Sequence, residues 1–160
     1  MTGARVLRSL ALVALCTTLT LAAARPALAG GDWNEQGVKW RTYEEGLKEA
    51  KTSKKPVLLI FYTEWCPHCA NYSKVFHDPK VVEASKKFVM VRIDGDKNQE
   101  LSKQYAIDGS YIPRTYVLAP SGTVDADIHA PRDQFKFFYD ERNPESVLTA
   151  MNAAMKKYKN

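Results

Sequence analysis

At 160 residues, 45% hydrophobic and 26% charged, the chain suits one domain with a sizeable core, and no Gly/Ser linker, low-complexity tract or internal repeat divides it. The formal net charge of +5 partly reflects residues 1–29, which carry Arg5, Arg8 and Arg25 and no acid; without them it falls to +2. The remaining lysines read as ordinary solvated surface, so nucleic acid is not an expected partner.

Residues 1–29 read as a signal peptide. Arg5 and Arg8 form a positive n-region, Leu10 to Ala24 an apolar h-region, and Ala27-Leu28-Ala29 an A-x-A cleavage site. The h-region contains hydroxyl residues and is shorter than the ~20 apolar residues a membrane span requires, so no stable membrane anchor is expected. Cys16 is not a lipoprotein cysteine, because Leu15 precedes it and apolar sequence continues past it. The expected product is an exported domain over residues 30–160.

Thr42-Tyr43-Glu44-Glu45 reads as a capping box opening a helix to about Lys51, with Leu47 and Ala50 facing inward. Ser53-Lys54-Lys55-Pro56 ends it, and Val57-Leu58-Leu59-Ile60-Phe61-Tyr62 is a continuously apolar strand suited to the centre of a covered sheet. A helix from Cys69 to about Phe76, a turn at His77-Asp78-Pro79 and a second helical stretch over 80–87 should follow. Phe88 to Ile93 then alternates like a strand, Asp94-Gly95-Asp96 turns, and Gln99 to Tyr105 forms a short helix.

Thr115-Tyr116-Val117-Leu118 and a segment from Thr123, joined by Pro120-Ser121-Gly122, suggest a β-hairpin. Residues 128–133 read as an irregular insertion before a last strand, Phe135-Lys136-Phe137-Phe138-Tyr139. Pro144 opens a final helix at its first position, with Val147, Leu148, Met151, Ala154 and Met155 on one stripe. Alternating helices and strands of this kind indicate an α/β sandwich.

Chemistry concentrates at Trp65-Cys66-Pro67-His68-Cys69, where the apolar strand gives way to a helix. Thiols three positions apart can close a small disulfide ring, and free N–H groups at the helix start stabilise a thiolate on the first sulfur. Zinc would need a second ligand pair, yet the rest of the chain offers only Cys16, His77 and His129; Ala70 also rules out the Cys-x-x-Cys-His haem pattern. No resident metal or other cofactor is therefore expected. Once the leader is removed Cys66 and Cys69 are the sole cysteines, and a pair this close cannot staple distant segments as structural disulfides do. They read as a redox dithiol, with Cys66 the exposed nucleophile, Cys69 the resolving thiol, and Pro67 and His68 tuning the thiolate.

Trp65 reads as a shield beside the disulfide that contacts substrate, or alternatively as a core tryptophan at a strand end. Arg114 is either a solvated arginine or a group attracting acidic substrate segments. Phe61, Tyr62 and Tyr111 read as packing residues, and His77 and His129 as surface residues.

The Trp65–Cys69 motif after a hydrophobic strand, with Ile112-Pro113 about 45 residues later before another strand, resembles the thioredoxin-like superfamily. Thr42-Tyr43-Glu44-Glu45-Gly46-Leu47, Ser53-Lys54-Lys55-Pro56, Phe88-Val89-Met90-Val91, Asp108-Gly109-Ser110-Tyr111-Ile112-Pro113-Arg114 and Pro120-Ser121-Gly122 look like its secreted anterior-gradient branch, over about residues 40 to 157. The resemblance implies a single domain of thioredoxin fold, a central mixed β-sheet flanked by helices, acting on protein substrates with cysteines or disulfides. It also implies a cis peptide before Pro113, with Ile112 and Pro113 pairing with an extended substrate backbone.

The chain departs from that pattern at Ile60, where many thioredoxins carry a buried acid that handles the second cysteine's proton; Glu64 or water is the substitute expected here. It ends Lys156-Lys157-Tyr158-Lys159-Asn160 without a Lys-Asp-Glu-Leu type signal, so a bacterial periplasm is expected rather than a secretory lumen. Pro67-His68 matches the dipeptide of a bacterial disulfide oxidase, which leans toward oxidation or isomerisation. The expected function is an exported thiol–disulfide oxidoreductase, monomeric because no heptad seam or added dimerisation segment occurs, and working with a redox partner that the sequence does not identify. The alternatives are a module that captures client cysteines with little turnover, or a copper-delivery protein using the same cysteines.

Overall fold

Thr42 caps the first helix reciprocally: its side chain accepts from the Glu45 N–H, and the Glu45 carboxylate accepts from the Thr42 N–H. That helix, α1 (Tyr43–Ser53), follows a two-residue strand, β1 (Trp40–Arg41), that the sequence pattern does not foretell. The computed structural model describes residues 30–159; the expected leader over 1–29 lies outside the described residues.

The apolar run forms β2 (Val57–Tyr62), paired in parallel with β3 (Val89–Asp94) and antiparallel with β4 (Arg114–Leu118), while β1 pairs in parallel with β3. The order β1-β3-β2-β4 leaves β2 inside the sheet, which is why its residues are apolar on both faces. Leu58, Ile60, Met90 and Val117 pack toward α2 (Pro67–Ser73), α3 (Pro79–Ser85) and α5 (Pro144–Lys157). Their neighbours Leu59, Phe61, Val91 and Tyr116 face α1 and α4 (Gln99–Gln104). Sheet period two thus divides the core into two layers, giving the mixed sheet flanked by helices that the sequence leads one to expect.

Glycine sets one of the closest approaches. A Cβ on Gly46 would lie 2.3 Å from Val91 Cγ2, so α1 rests on β3 at a distance no other residue permits. At the other layer, residues 30–38 form a strap over α2 and bury Trp33 and Val38. Gly31, at φ +89°, lies where a Cβ would come within 2.2 Å of Ser73 Oγ.

Three expectations need correction. The hairpin reduces to a tight turn with a single bridge between Leu118 and Val124. Residues 135–139 are a loop: Phe135 has φ +54°, and the Lys136 and Phe137 amides are taken by Asp108 Oδ2 (2.6 Å) and Tyr111 Oη (3.0 Å) instead of a strand neighbour. Phe137 and Tyr139 are buried nonetheless, and the Phe137 carbonyl accepts from the Thr115 N–H of β4 at 2.7 Å, so the apolar run adds to the core and makes one backbone bond to the sheet without forming a strand. Arg114 is only 1% exposed, neither solvated nor available to a substrate. Its guanidinium donates to the Gly109 and Ser102 carbonyls, both at 2.9 Å, and lies over the Phe61 ring.

Helix α2 starts two residues before the expected Cys69 and passes into a 3₁₀ turn at Lys74–His77 before Asp78 caps α3. Among the described residues no helix is long and apolar enough to cross a membrane.

Candidate functional site

Strand β2 ends at Tyr62, and Thr63 to Trp65 carry the chain over the sheet edge into α2, whose N-cap is Cys66. Cys66 does what a Ser or Asp does at this position: its Sγ accepts from the Cys69 N–H at 3.3 Å. Pro67 occupies the first helical position, where its missing N–H costs nothing. From the far side, the Ile112 carbonyl lies 3.8 Å from Cys66 Sγ, and the Ile112–Pro113 peptide bond is cis. The fold therefore brings Cys66, Pro67, Cys69 and the Ile112-Pro113 pair together from segments 46 positions apart.

Both thiols are free, and both residues are buried, Cys66 at 4% exposure and Cys69 at 0%. The expected exposed Cys66 is thus corrected to a recessed one, because its sulfur turns into the first turn of α2 under Ile112. Burial pushes the Cys69 thiol far above its ordinary range; its hydrogen bond with Cys66 and the nearby Glu141 charge add to the effect, and a backbone contact at Thr63 offsets part of it.

Trp65 is 70% exposed, which removes the core-tryptophan alternative, and its indole N–H donates to Asp96 Oδ2 at 2.7 Å. It stands at the rim of the site as a large apolar surface held by one polar contact.

His68 does not turn its Nδ1 toward the cysteines. That nitrogen lies 2.6 Å from Glu141 Oε2, while Glu141 Oε1 accepts from Asn71 Nδ2 at 3.0 Å. Phe138 sets its ring edge-on against the imidazole, 5.9 Å between centroids. Glu141 is a buried acid, bonded to the helix that carries the cysteines, that sequence reasoning missed. It stands 73 positions from His68, so no local periodicity joins them; the only sequence signal is an acid placed between the apolar run 135–139 and the Pro144 helix start.

Ile60 is wholly buried and supplies no proton acceptor under the site. Glu64 is drawn outward to Lys97, at 3.0 Å, and the acid whose charge reaches Cys69 is Glu141. Among the described residues no three His, Cys, Asp or Glu side chains converge in a way that could hold a metal ion. His77 lies against the Asp32 carbonyl and His129 against the Ala130 carbonyl, both away from the thiols.

Residues 39–120 match the family model described as thioredoxin-like. The chain is 31% identical over 135 residues to the human anterior gradient protein 2 homolog, covering 84% of this chain and 75% of that one. It is 30% identical over 159 residues to anterior gradient protein 2 of Xenopus tropicalis, covering 94% of each. Among solved structures it is similar to a thioredoxin from Thermus thermophilus, with TM-score 0.61 at 23% identity over 77% of this chain and 91% of that one. A disulphide isomerase from Xylella fastidiosa gives TM-score 0.50 at 29% identity, over 71% and 86% of the two chains.

Proposed function

Because this chain belongs to the thioredoxin-like family, we propose that it is an exported protein thiol–disulfide oxidoreductase whose reacting groups are Cys66 and Cys69. The observation that carries this reading is the asymmetric dithiol: Cys66 Sγ held by the Cys69 amide at 3.3 Å, with the Cys69 sulfur enclosed beneath it.

In the reducing direction the Cys66 thiolate attacks one sulfur of a client disulfide, forming a mixed disulfide and releasing the first client thiolate, which takes up a proton. Cys69 then loses its proton and attacks Cys66 Sγ; the S–S bond to the client breaks, the second client thiol leaves, and the pair is oxidised as the client is reduced. Oxidation of a client dithiol is the same path reversed. The Pro67-His68 dipeptide is the basis on which the oxidising or isomerising direction is assigned, although His68 Nδ1 is engaged by Glu141 and not by the cysteines. Equilibration against glutathione measures this, and a potential as low as thioredoxin's would reverse the assigned direction.

Trp65, Ile112 and Pro113 form the docking edge, Trp65 by exposed apolar area and the Ile112-Pro113 backbone by its nearness to Cys66 Sγ. Export rests on the n-region, h-region and A-x-A pattern within residues 1–29, and the disulfide-permissive compartment proposed is a bacterial periplasm. The domain is proposed to act as a monomer.

The test is trapping with the full chain. Cys69→Ser should accumulate a mixed disulfide with a client through Cys66, Cys66→Ser should form none, and only the wild type should turn over a protein disulfide. A wild type with neither turnover nor trapping by Cys69→Ser would overturn the reading. A second reading, capture of client cysteines with slow release, draws on the enclosed Cys69 thiol, which resists the deprotonation that resolution requires. A wild-type mixed disulfide persisting for minutes would favour it.

A further inference from the structure

Glu141 lies just before α5 and reaches across to α2, the helix that carries the cysteines. His68 and Asn71 are three residues apart on that helix, hence on one face, and the carboxylate spans them, one oxygen on each. Only 10% of its side chain is accessible, against 60% for His68, so the acid is the fixed member of the pair and the imidazole the one that meets solvent.

The donor assignment follows from chemistry. An ionised carboxylate has no proton to give, so the hydrogen in the 2.6 Å contact belongs to His68 Nδ1. Nε2 is then the unprotonated nitrogen of a side chain that is 60% exposed, and it has no protein partner among the described residues. The Phe138 ring, edge-on at 5.9 Å, limits how far the imidazole can swing. Among the described residues Arg142 is the lysine or arginine paired with the carboxylate, with Nε 3.9 Å from Oε1 and its side chain 82% exposed, so it does not compete for Oε2.

We propose that Glu141 is a positioning residue for thiol–disulfide exchange: it fixes His68 as the Nδ1–H tautomer, so that Nε2 takes the proton of an incoming client thiol. The proposal rests on the oxidoreductase reading above. In the step, the client S–H gives its proton to His68 Nε2 and the resulting thiolate attacks Cys66 Sγ of the oxidised pair. The Cys66–Cys69 bond breaks, its electron pair leaves on Cys69 Sγ, and that thiolate takes a proton from water. The client is left joined to Cys66 as a mixed disulfide, and a second client thiol completes its two-electron oxidation.

The test uses the oxidised full chain and a synthetic peptide with two cysteines, with the rate of mixed-disulfide formation followed by rapid mixing and the His68 tautomer by nitrogen-15 NMR. E141Q should slow the first step by about tenfold, the usual scale for losing the partner that orients a histidine. It should also move His68 away from the Nδ1–H form, and E141D should restore most of the rate. In an H68Q background, which the exposure of His68 leaves folded, E141Q should cause no further loss, because the two residues act as one unit. An unchanged rate in E141Q, or an equal loss in the H68Q background, would overturn the proposal. A wild type that never reacts with the peptide would overturn the parent reading instead, while the tautomer measurement still decides whether Glu141 orients His68.

Discussion

The Cys69 amide holds the Cys66 sulfur at 3.3 Å, while the Cys69 sulfur itself has no exposed surface. One backbone group thus presents the first thiol and, by starting α2, carries the second into the core. Two chemically identical side chains stand in different surroundings through a single helix start.

Alkylation should expose that difference. Burial raises the Cys69 thiol, so it stays protonated through neutral and mildly alkaline pH and is not a nucleophile there. Iodoacetamide should modify Cys66 about a hundredfold faster than Cys69, and raising the pH to about 9 should not close the gap. Peptide mass spectrometry of timed samples gives the ratio, and equal rates would show that the enclosure is not maintained in solution.

Arg114 stabilises the segment that brings Ile112 to the site, through its bonds to Ser102 and Gly109. Arg114→Ala removes a buried guanidinium from two half-buried carbonyls and should cost about 3 kcal/mol, whereas Arg114→Lys keeps a charge but loses the planar fork and should cost roughly half that. Urea denaturation followed by fluorescence measures both. A cost within about 0.5 kcal/mol of wild type for the alanine variant would mean that the guanidinium is dispensable.

What the sequence discloses is local. The capping box at Thr42, the apolar β2 run, the proline-opened α5 and the Cys66–Cys69 spacing each depend on residues a few positions apart, and all appear where expected. The failures are contacts between distant segments. Residues 135–139 have strand-like composition, but Asp108 and Tyr111 take the amides a strand would offer, and no pattern within the run reveals those partners. Arg114 reads as surface because charge is usually solvated, yet Ser102 and Gly109 supply carbonyls that allow its burial. Glu141 is illegible in the sequence for the same reason, its partners lying 70 and 73 positions away.

Asp125 ties the loop after β4 to the end of α5, accepting from Lys157 Nζ at 2.9 Å and Tyr158 Oη at 2.6 Å. Burial alone would raise its carboxyl, but the Lys157 and Tyr158 hydrogen bonds outweigh it and hold the group below the usual range. A depressed carboxyl stabilises the fold above its unfolded value of about 4, and this is lost as pH falls through the folded value. Asp125→Asn should therefore cost about 1–2 kcal/mol at neutral pH and progressively less below about pH 4. Urea titrations at neutral pH and at about pH 3 test this, and a cost that does not shrink with acid would exclude the ionised carboxylate as its source.

Trp65 separates docking from folding. A tryptophan 70% exposed and held by one hydrogen bond to Asp96 adds little to the core, so Trp65→Ala should leave stability within about 0.5 kcal/mol of wild type. If the indole forms part of the docking edge, the same change removes apolar area that a client covers on approach, and reaction with a protein disulfide should slow by about tenfold. A small reagent such as iodoacetamide needs no docking, so its rate with Cys66 should stay within about twofold. The two probes must diverge for the assignment to hold. Equal losses with both would mean that Trp65 acts on the Cys66 sulfur itself, and no loss with either would leave the exposed indole without a part in client recognition.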